Sequence, residues 1–172
     1  MMMYIMDNEK ESCRLAAANG GMSMKTVFID GKAGTTGLRI YDRLAGHADV
    51  RLLTLPEEER KSAESRKRML NTADVVFLCL PDEAATEAAA WVENPNTVVL
   101  DTSTAHRTAP GWVYGFPELS AQQEATVRQA KRIAVPGCHA SGFIALVYPL
   151  VAAGIVAKDA LLSCYSLTGY SG

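Results

Sequence analysis

The stretch Lys25-Thr26-Val27-Phe28-Ile29-Asp30-Gly31-Lys32-Ala33-Gly34-Thr35-Thr36-Gly37 runs from a β-branched apolar segment straight into glycines spaced GxxGxxG. Leu38-Arg39-Ile40-Tyr41-Asp42-Arg43-Leu44 then continues at helical spacing. Strand, glycine turn and helix in this order form a phosphate-binding turn. Glycines let the backbone approach a pyrophosphate, and the anion then sits on the helix N-terminus. Gly31, Gly34 and Gly37 are therefore candidate cofactor residues, with Lys32, Thr35 and Thr36 adding donors. Working outward, Val50–Leu55 and Ala73–Leu80 read as further strands. The second of these is almost continuously apolar, as expected where both faces of a parallel sheet are covered. The fold class predicted is α/β, a doubly wound parallel sheet.

A free ribose 2′-hydroxyl is usually met by Asp or Glu at the end of the second strand. Here that end is Thr54-Leu55-Pro56, with Arg60 and Lys61 just beyond, a set that suits a 2′-phosphate and favours NADP over NAD. Glu57, Glu58 and Glu59 weigh against this, and 57–68 reads as a solvated helix face. Leu80-Pro81 ends the next strand and should face the crevice in which open α/β sheets bind ligands. Asp82 is positioned to cap the helix that follows.

Thr97–Asp101 is another strand, ending in Asp101-Thr102-Ser103-Thr104-Ala105-His106-Arg107. That loop gathers hydroxyls, an imidazole and a guanidinium, and Arg107 can grip a phosphate or carboxylate in bidentate fashion. Gly111–Leu119 reads as a loop, in which Glu118 is either a ligand group or a surface charge. Ser120 caps a helix over 121–131. After the short run Ile133-Ala134-Val135 comes Pro136-Gly137-Cys138-His139-Ala140-Ser141-Gly142, a second strand-to-helix turn. A thiol at a helix N-terminus is favoured as the thiolate, and the same N–H groups can hold an oxyanion. Cys138 is the candidate nucleophile. Ala160–Leu167 alternates as a strand would.

The 172 residues carry a net charge of −2, which argues against nucleic acid or another polyanion as partner. No run approaches the ~18 apolar residues of a membrane span. The four cysteines, at 13, 79, 138 and 164, show no metal-ligand spacing, so no metal is expected. They look like reduced-thiol, cytoplasmic usage. Residues 1–23 read as a disordered extension.

Five motifs occur in order: Gly31–Gly37, Asp101–Arg107, Tyr114-Gly115-Phe116-Pro117-Glu118-Leu119, Pro136–Gly142 and Ser166-Leu167-Thr168-Gly169-Tyr170-Ser171-Gly172. Together they resemble the N-acetyl-gamma-glutamyl-phosphate reductases, in particular their shorter second type. The resemblance implies a Rossmann NADP-binding domain over 24–135, followed over 136–172 by the beginning of an α+β catalytic and dimerisation domain. It implies that Cys138 attacks an acyl phosphate and that NADPH reduces the resulting thioester. Gly31, Gly34, Thr35, Thr36 and Gly37 match the cofactor turn, and Ser103 and Arg107 match positions near the substrate phosphate and nicotinamide. The implied setting is arginine biosynthesis, the implied substrate N-acetyl-glutamyl phosphate, and the full-length protein is expected to be a homo-oligomer.

The family's acid/base histidine lies well beyond the nucleophile helix. His139 points away from Cys138 as its helical neighbour, His106 does not match that base, and His47 sits in a solvated turn. The chain is therefore expected to be a C-terminally truncated piece, inactive by itself. Two other readings remain open: a different semialdehyde dehydrogenase, and a non-catalytic NADP-binding module.

Overall fold

A computed structural model describes residues 24–167. The extension expected over 1–23, with Cys13, and the end of the last motif at 168–172 lie outside the described residues. Six strands form one parallel sheet in the order β2-β1-β3-β4-β6-β5: β1 (Lys25–Asp30), β2 (Val50–Leu53), β3 (Val75–Leu78), β4 (Val98–Asp101), β5 (Val113–Tyr114) and β6 (Arg132–Ala134). Among the described residues five α-helices are α1 (Thr35–Leu44), α2 (Ala63–Thr72), α3 (Asp82–Ala90), α4 (Ala121–Gln129) and α5 (Cys138–Ala152). The strand order reverses between β1 and β3. With right-handed crossovers, this reversal puts α1 and α2 on opposite faces of the sheet. The doubly wound α/β expectation holds.

Phe28, Leu70, Val76, Leu78, Ala88 and Val99 form the buried core. Each large side chain there contributes about 1.5–3 kcal/mol by leaving water. Leu70 brings α2 onto the sheet, and the cap that starts this helix is Ser62, whose Oγ accepts the Ser65 N–H at 3.3 Å. The 57–68 stretch is thus not one solvated face. Glu57–Glu59 is a single 3-10 turn, and α2 turns Ser65, Leu70 and Arg66 inward.

Three local expectations are corrected. Val113–Tyr114, expected as loop, is the edge strand β5 and pairs with Ile133 and Ala134. Asp82 does not cap α3, because its carboxylate accepts from Thr104 and Pro81 occupies the cap position. Ala160–Leu167 is not a strand: it has no regular secondary structure and is solvent-exposed. Its alternating pattern finds no partner strand among the described residues, and an unpaired strand has no ladder to form.

The starts of β1 and β3 are joined by Asp74. Its Oδ2 accepts the Thr26 backbone N–H at 2.8 Å and the Thr26 hydroxyl at 2.7 Å, and the Asp74 N–H donates to Thr26 Oγ1 at 3.0 Å. The bond from the Thr26 backbone, then that from its hydroxyl, holds the Asp74 carboxyl below its ordinary range. A carboxyl lowered in the folded state stabilises above its unfolded pKa and loses that contribution as pH falls. Asp74→Asn should therefore melt lower than the wild type at pH 7. Thermal unfolding at stepped pH checks this, and the gap should begin to close below about pH 4 and keep closing as pH falls through the lowered folded-state pKa.

Candidate cofactor crevice and nucleophile turn

Gly31 follows β1 with φ +88°, in the left-handed region. A Cβ there would lie 2.1 Å from the Cys79 carbonyl oxygen, so β1's exit presses directly on β3's exit. At Gly37 a Cβ would lie 2.5 Å from the Gly31 carbonyl oxygen, which fixes how closely α1 packs on its own turn. Gly34 differs. Its Cβ would meet only the Gly31 oxygen, at 3.5 Å, so its bareness leaves room on the outer side. Gly34 caps α1, no side chain caps that helix, and its first turn holds no acidic residue. The first N–H groups of α1 thus have no acceptor inside the helix and face outward. That cradle fits a pyrophosphate.

Two clefts flank the turn and share Leu80. One, of about 650 Å³, is lined by Gly34, Thr35, Thr36 and Gly37 with Arg39 and Thr102. The other, of about 340 Å³, is lined by Gly31, Lys32, Thr54, Arg60 and Lys61 with Asp30. Asp30 is buried and would repel an anion, but Arg66 neutralises it. Arg66 Nε donates to both carboxylate oxygens at 3.1 Å and Nη2 donates to Oδ2 at 2.9 Å. Lys32 Nζ sits 3.2 Å from the centre of the Tyr41 ring, a cation–π contact that keeps it at the cleft wall. Pro81 lines neither cleft and stands exposed at the start of α3.

The Asp101–Arg107 loop is built around a fully buried carboxylate. Asp101 accepts the Ser103 N–H at 3.0 Å, the Ser103 hydroxyl at 2.6 Å and His106 Nδ1 at 2.6 Å. The His106 ring stacks on Trp112 with centroids 4.0 Å apart. Thr104 ties the loop outward, donating from N–H (2.9 Å) and Oγ1 (2.5 Å) to Asp82. The Thr104 hydroxyl, then its N–H, lowers the Asp82 carboxyl. Ser103 and His106 are thus turned inward, Thr104 reaches α3, and Arg107 reaches the exit of β6. Its Nε donates to the Val135 carbonyl at 3.2 Å, and its guanidinium lies against Gly137.

Cys138 is the first residue of α5, after the cap Gly137, and is exposed. With His139, Phe143, Leu146 and residues 163–167 it lines an open cleft of about 600 Å³. His139 Nδ1 pairs with the Ser166 hydroxyl. Cys79, beside the glycine turn, is no rival nucleophile: burial pushes its thiol up, and Asp30 and Asp101 add to the shift. Reactivity needs the thiolate. The structure therefore brings Gly31 and Thr54 together in one cleft and Gly34–Gly37 in the other, with Leu80 between them, and Arg107 with the turn of Cys138.

Residues 61–127 match the family described as semialdehyde dehydrogenase, NAD binding domain. The chain is 53% identical over 151 residues to N-acetyl-gamma-glutamyl-phosphate reductase 2 of Pseudomonas putida, covering 88% of this chain and 48% of that protein. It is 51% identical over the same length and shares to N-acetyl-gamma-glutamyl-phosphate reductase of Burkholderia cenocepacia. The chain is related to the N-acetyl-gamma-glutamyl-phosphate reductases. It spans about half the length of the curated relatives it matches. Among solved structures, aspartate semialdehyde dehydrogenase II of Vibrio cholerae, complexed with ASA, overlays 76% of this chain and 43% of its own at TM-score 0.55 and 16% identity. Aspartate semialdehyde dehydrogenase of Candida albicans with NADP overlays 76% of this chain and 48% of its own at TM-score 0.52 and 18% identity. These two likenesses establish the fold, a doubly wound α/β sheet of the Rossmann type.

The glycines separate by role. Gly31→Ala should cost roughly 2 kcal/mol or more of folding stability, because a positive φ and a backbone collision act together. Gly34→Ala should leave the melting transition nearly in place. Denaturant titration of the two variants distinguishes them.

Proposed function

We propose that this chain carries the cofactor-binding and nucleophile portions of an N-acetyl-gamma-glutamyl-phosphate reductase, working in the cytoplasm in arginine biosynthesis. The observation that carries the reading is the Arg107 guanidinium lying against the turn that begins Cys138's helix. A cation on that turn attracts an anionic acyl phosphate toward the cysteine. Cys138 Sγ attacks the acyl carbon, the carbonyl electrons move onto oxygen, and the N–H groups opening α5 stabilise that oxyanion. Collapse expels phosphate and leaves a thioester on Cys138, splitting one hard reduction into two easier steps.

Bound in the β1/β3 crevice, NADPH supplies the hydride that reduces this thioester to the semialdehyde. The chain's own part is to hold it. Gly31, Gly34, Thr35, Thr36 and Gly37 receive the pyrophosphate, while Leu80 flanks the crevice at the exit of β3. Thr54, Arg60 and Lys61 present a hydroxyl and two cations where an adenosine 2′-phosphate lies, which favours NADP over NAD. Arg107 meets the substrate phosphate. Ser103, bonded to Asp101, contributes to the substrate side by setting the shape of that loop.

Cys138 acylation tests this reading without requiring turnover. Mixed with N-acetyl-gamma-glutamyl phosphate, the chain should gain one N-acetylglutamyl group on Cys138 by intact mass and peptide mapping. Cys138→Ser should gain none, and aspartyl phosphate should label the wild type far more slowly. Equal labelling by both acyl phosphates would favour another semialdehyde dehydrogenase. No adduct at all would favour a module that only binds the cofactor.

A further inference from the structure

We propose that Gly137 is a positioning residue of the nucleophile turn: the space its side chain would fill is the seat of the Arg107 guanidinium. What that guanidinium does toward substrate rests on the function proposed above, whereas the contact itself does not. A Cβ built on Gly137 lies 2.7 Å from Arg107 Nη1 and 3.1 Å from both Cζ and Nη2. The flat face of the guanidinium therefore rests on the backbone of the residue preceding Cys138. Arg107 is anchored at one further point, where Nε donates to the Val135 carbonyl at 3.2 Å. Among the described residues Nη1 and Nη2 make no hydrogen bond or ion pair, so their donors remain free for an anion at the turn that opens α5.

Glycine is not needed here for its backbone. Gly137 has φ −78° and ψ 151°, an extended conformation that alanine adopts without strain. The three atoms nearest an added methyl all belong to the end of a flexible side chain. An alanine should therefore spare the fold and displace the guanidinium. By contrast, glycine at 31 is demanded by φ and by a backbone carbonyl. Two glycines that read alike in the sequence thus serve different ends, one fixing the sheet and the other leaving a berth for a cation.

The experiment compares alkylation of Cys138 by anionic iodoacetate and neutral iodoacetamide, read from the Cys138 peptide by mass spectrometry. The ratio of the two rate constants reports local positive charge and needs neither cofactor nor substrate. Arg107→Gln should lower the ratio about three- to fivefold, the effect of one unit charge a few ångströms away in water. Gly137→Ala, with Arg107 intact, should lower it by a similar factor, and the double variant should lower it no further. The differences should shrink in 1 M salt, which a purely structural change would not produce. Gly137→Ala should melt within about 5 °C of the wild type. An unchanged ratio in Gly137→Ala, additive effects in the double variant, or failure of that variant to fold would each overturn the proposal. If the alkylation cycle holds while acylation by the acyl phosphate fails, the contact stands and the substrate reading falls.

Discussion

The contact on which the molecule depends is the one between the turn after β1 and the carbonyl of Cys79 after β3. No side chain fits there, since a Cβ on Gly31 would lie 2.1 Å from that oxygen. The two strand exits can therefore close together at the point where strand order reverses, which is where an open α/β sheet leaves its crevice. Gly37 repeats the constraint one helical turn later, drawing α1 down so that its uncapped N-terminus faces that crevice. The positions of Leu80 and Thr54 along the two clefts follow from those approaches. The uncapped helix start at this crevice is thus a consequence of how closely backbone can pack, and the buried Asp30 beside it is neutralised by Arg66.

A second constraint links the sheet to the nucleophile. Asp101 ends β4 fully buried, and its carboxylate must be satisfied; Ser103 and His106 do so from the loop that follows. Satisfying the carboxylate curls the loop inward and directs Arg107 across to the exit of β6. There it meets the Val135 carbonyl and Gly137, at the threshold of α5. A buried carboxylate at the end of one strand thereby sets the position of a cation on the turn that follows another.

Much of this was legible in the sequence where the signal is local. The glycine turn, the apolar run of β3 and the Pro-Gly break before Cys138 each sit within one short stretch, and each marks the element observed. What eluded the sequence was determined by partners far along the chain. Arg66 reads as part of a solvated face until Asp30, 36 residues away, is seen to accept from it. Val113–Tyr114 is too short to announce itself and becomes a strand only because β6 lies alongside. Ala160–Leu167 shows the converse, a strand pattern with no strand to pair with. Of the Asp101 loop, its polar character was plain, but which side chains turn inward was not. The Asp-x-Ser spacing at 101–103, typical of an Asp that accepts from the backbone two residues on, was the available signal.

The central claim is that the crevice between β1 and β3 receives a phosphorylated dinucleotide, and calorimetric titration of NADPH into the 172-residue chain tests it most directly. The account predicts saturable one-site binding, with NADH needing at least about tenfold higher concentration. The absence of saturable heat for either nucleotide would contradict it.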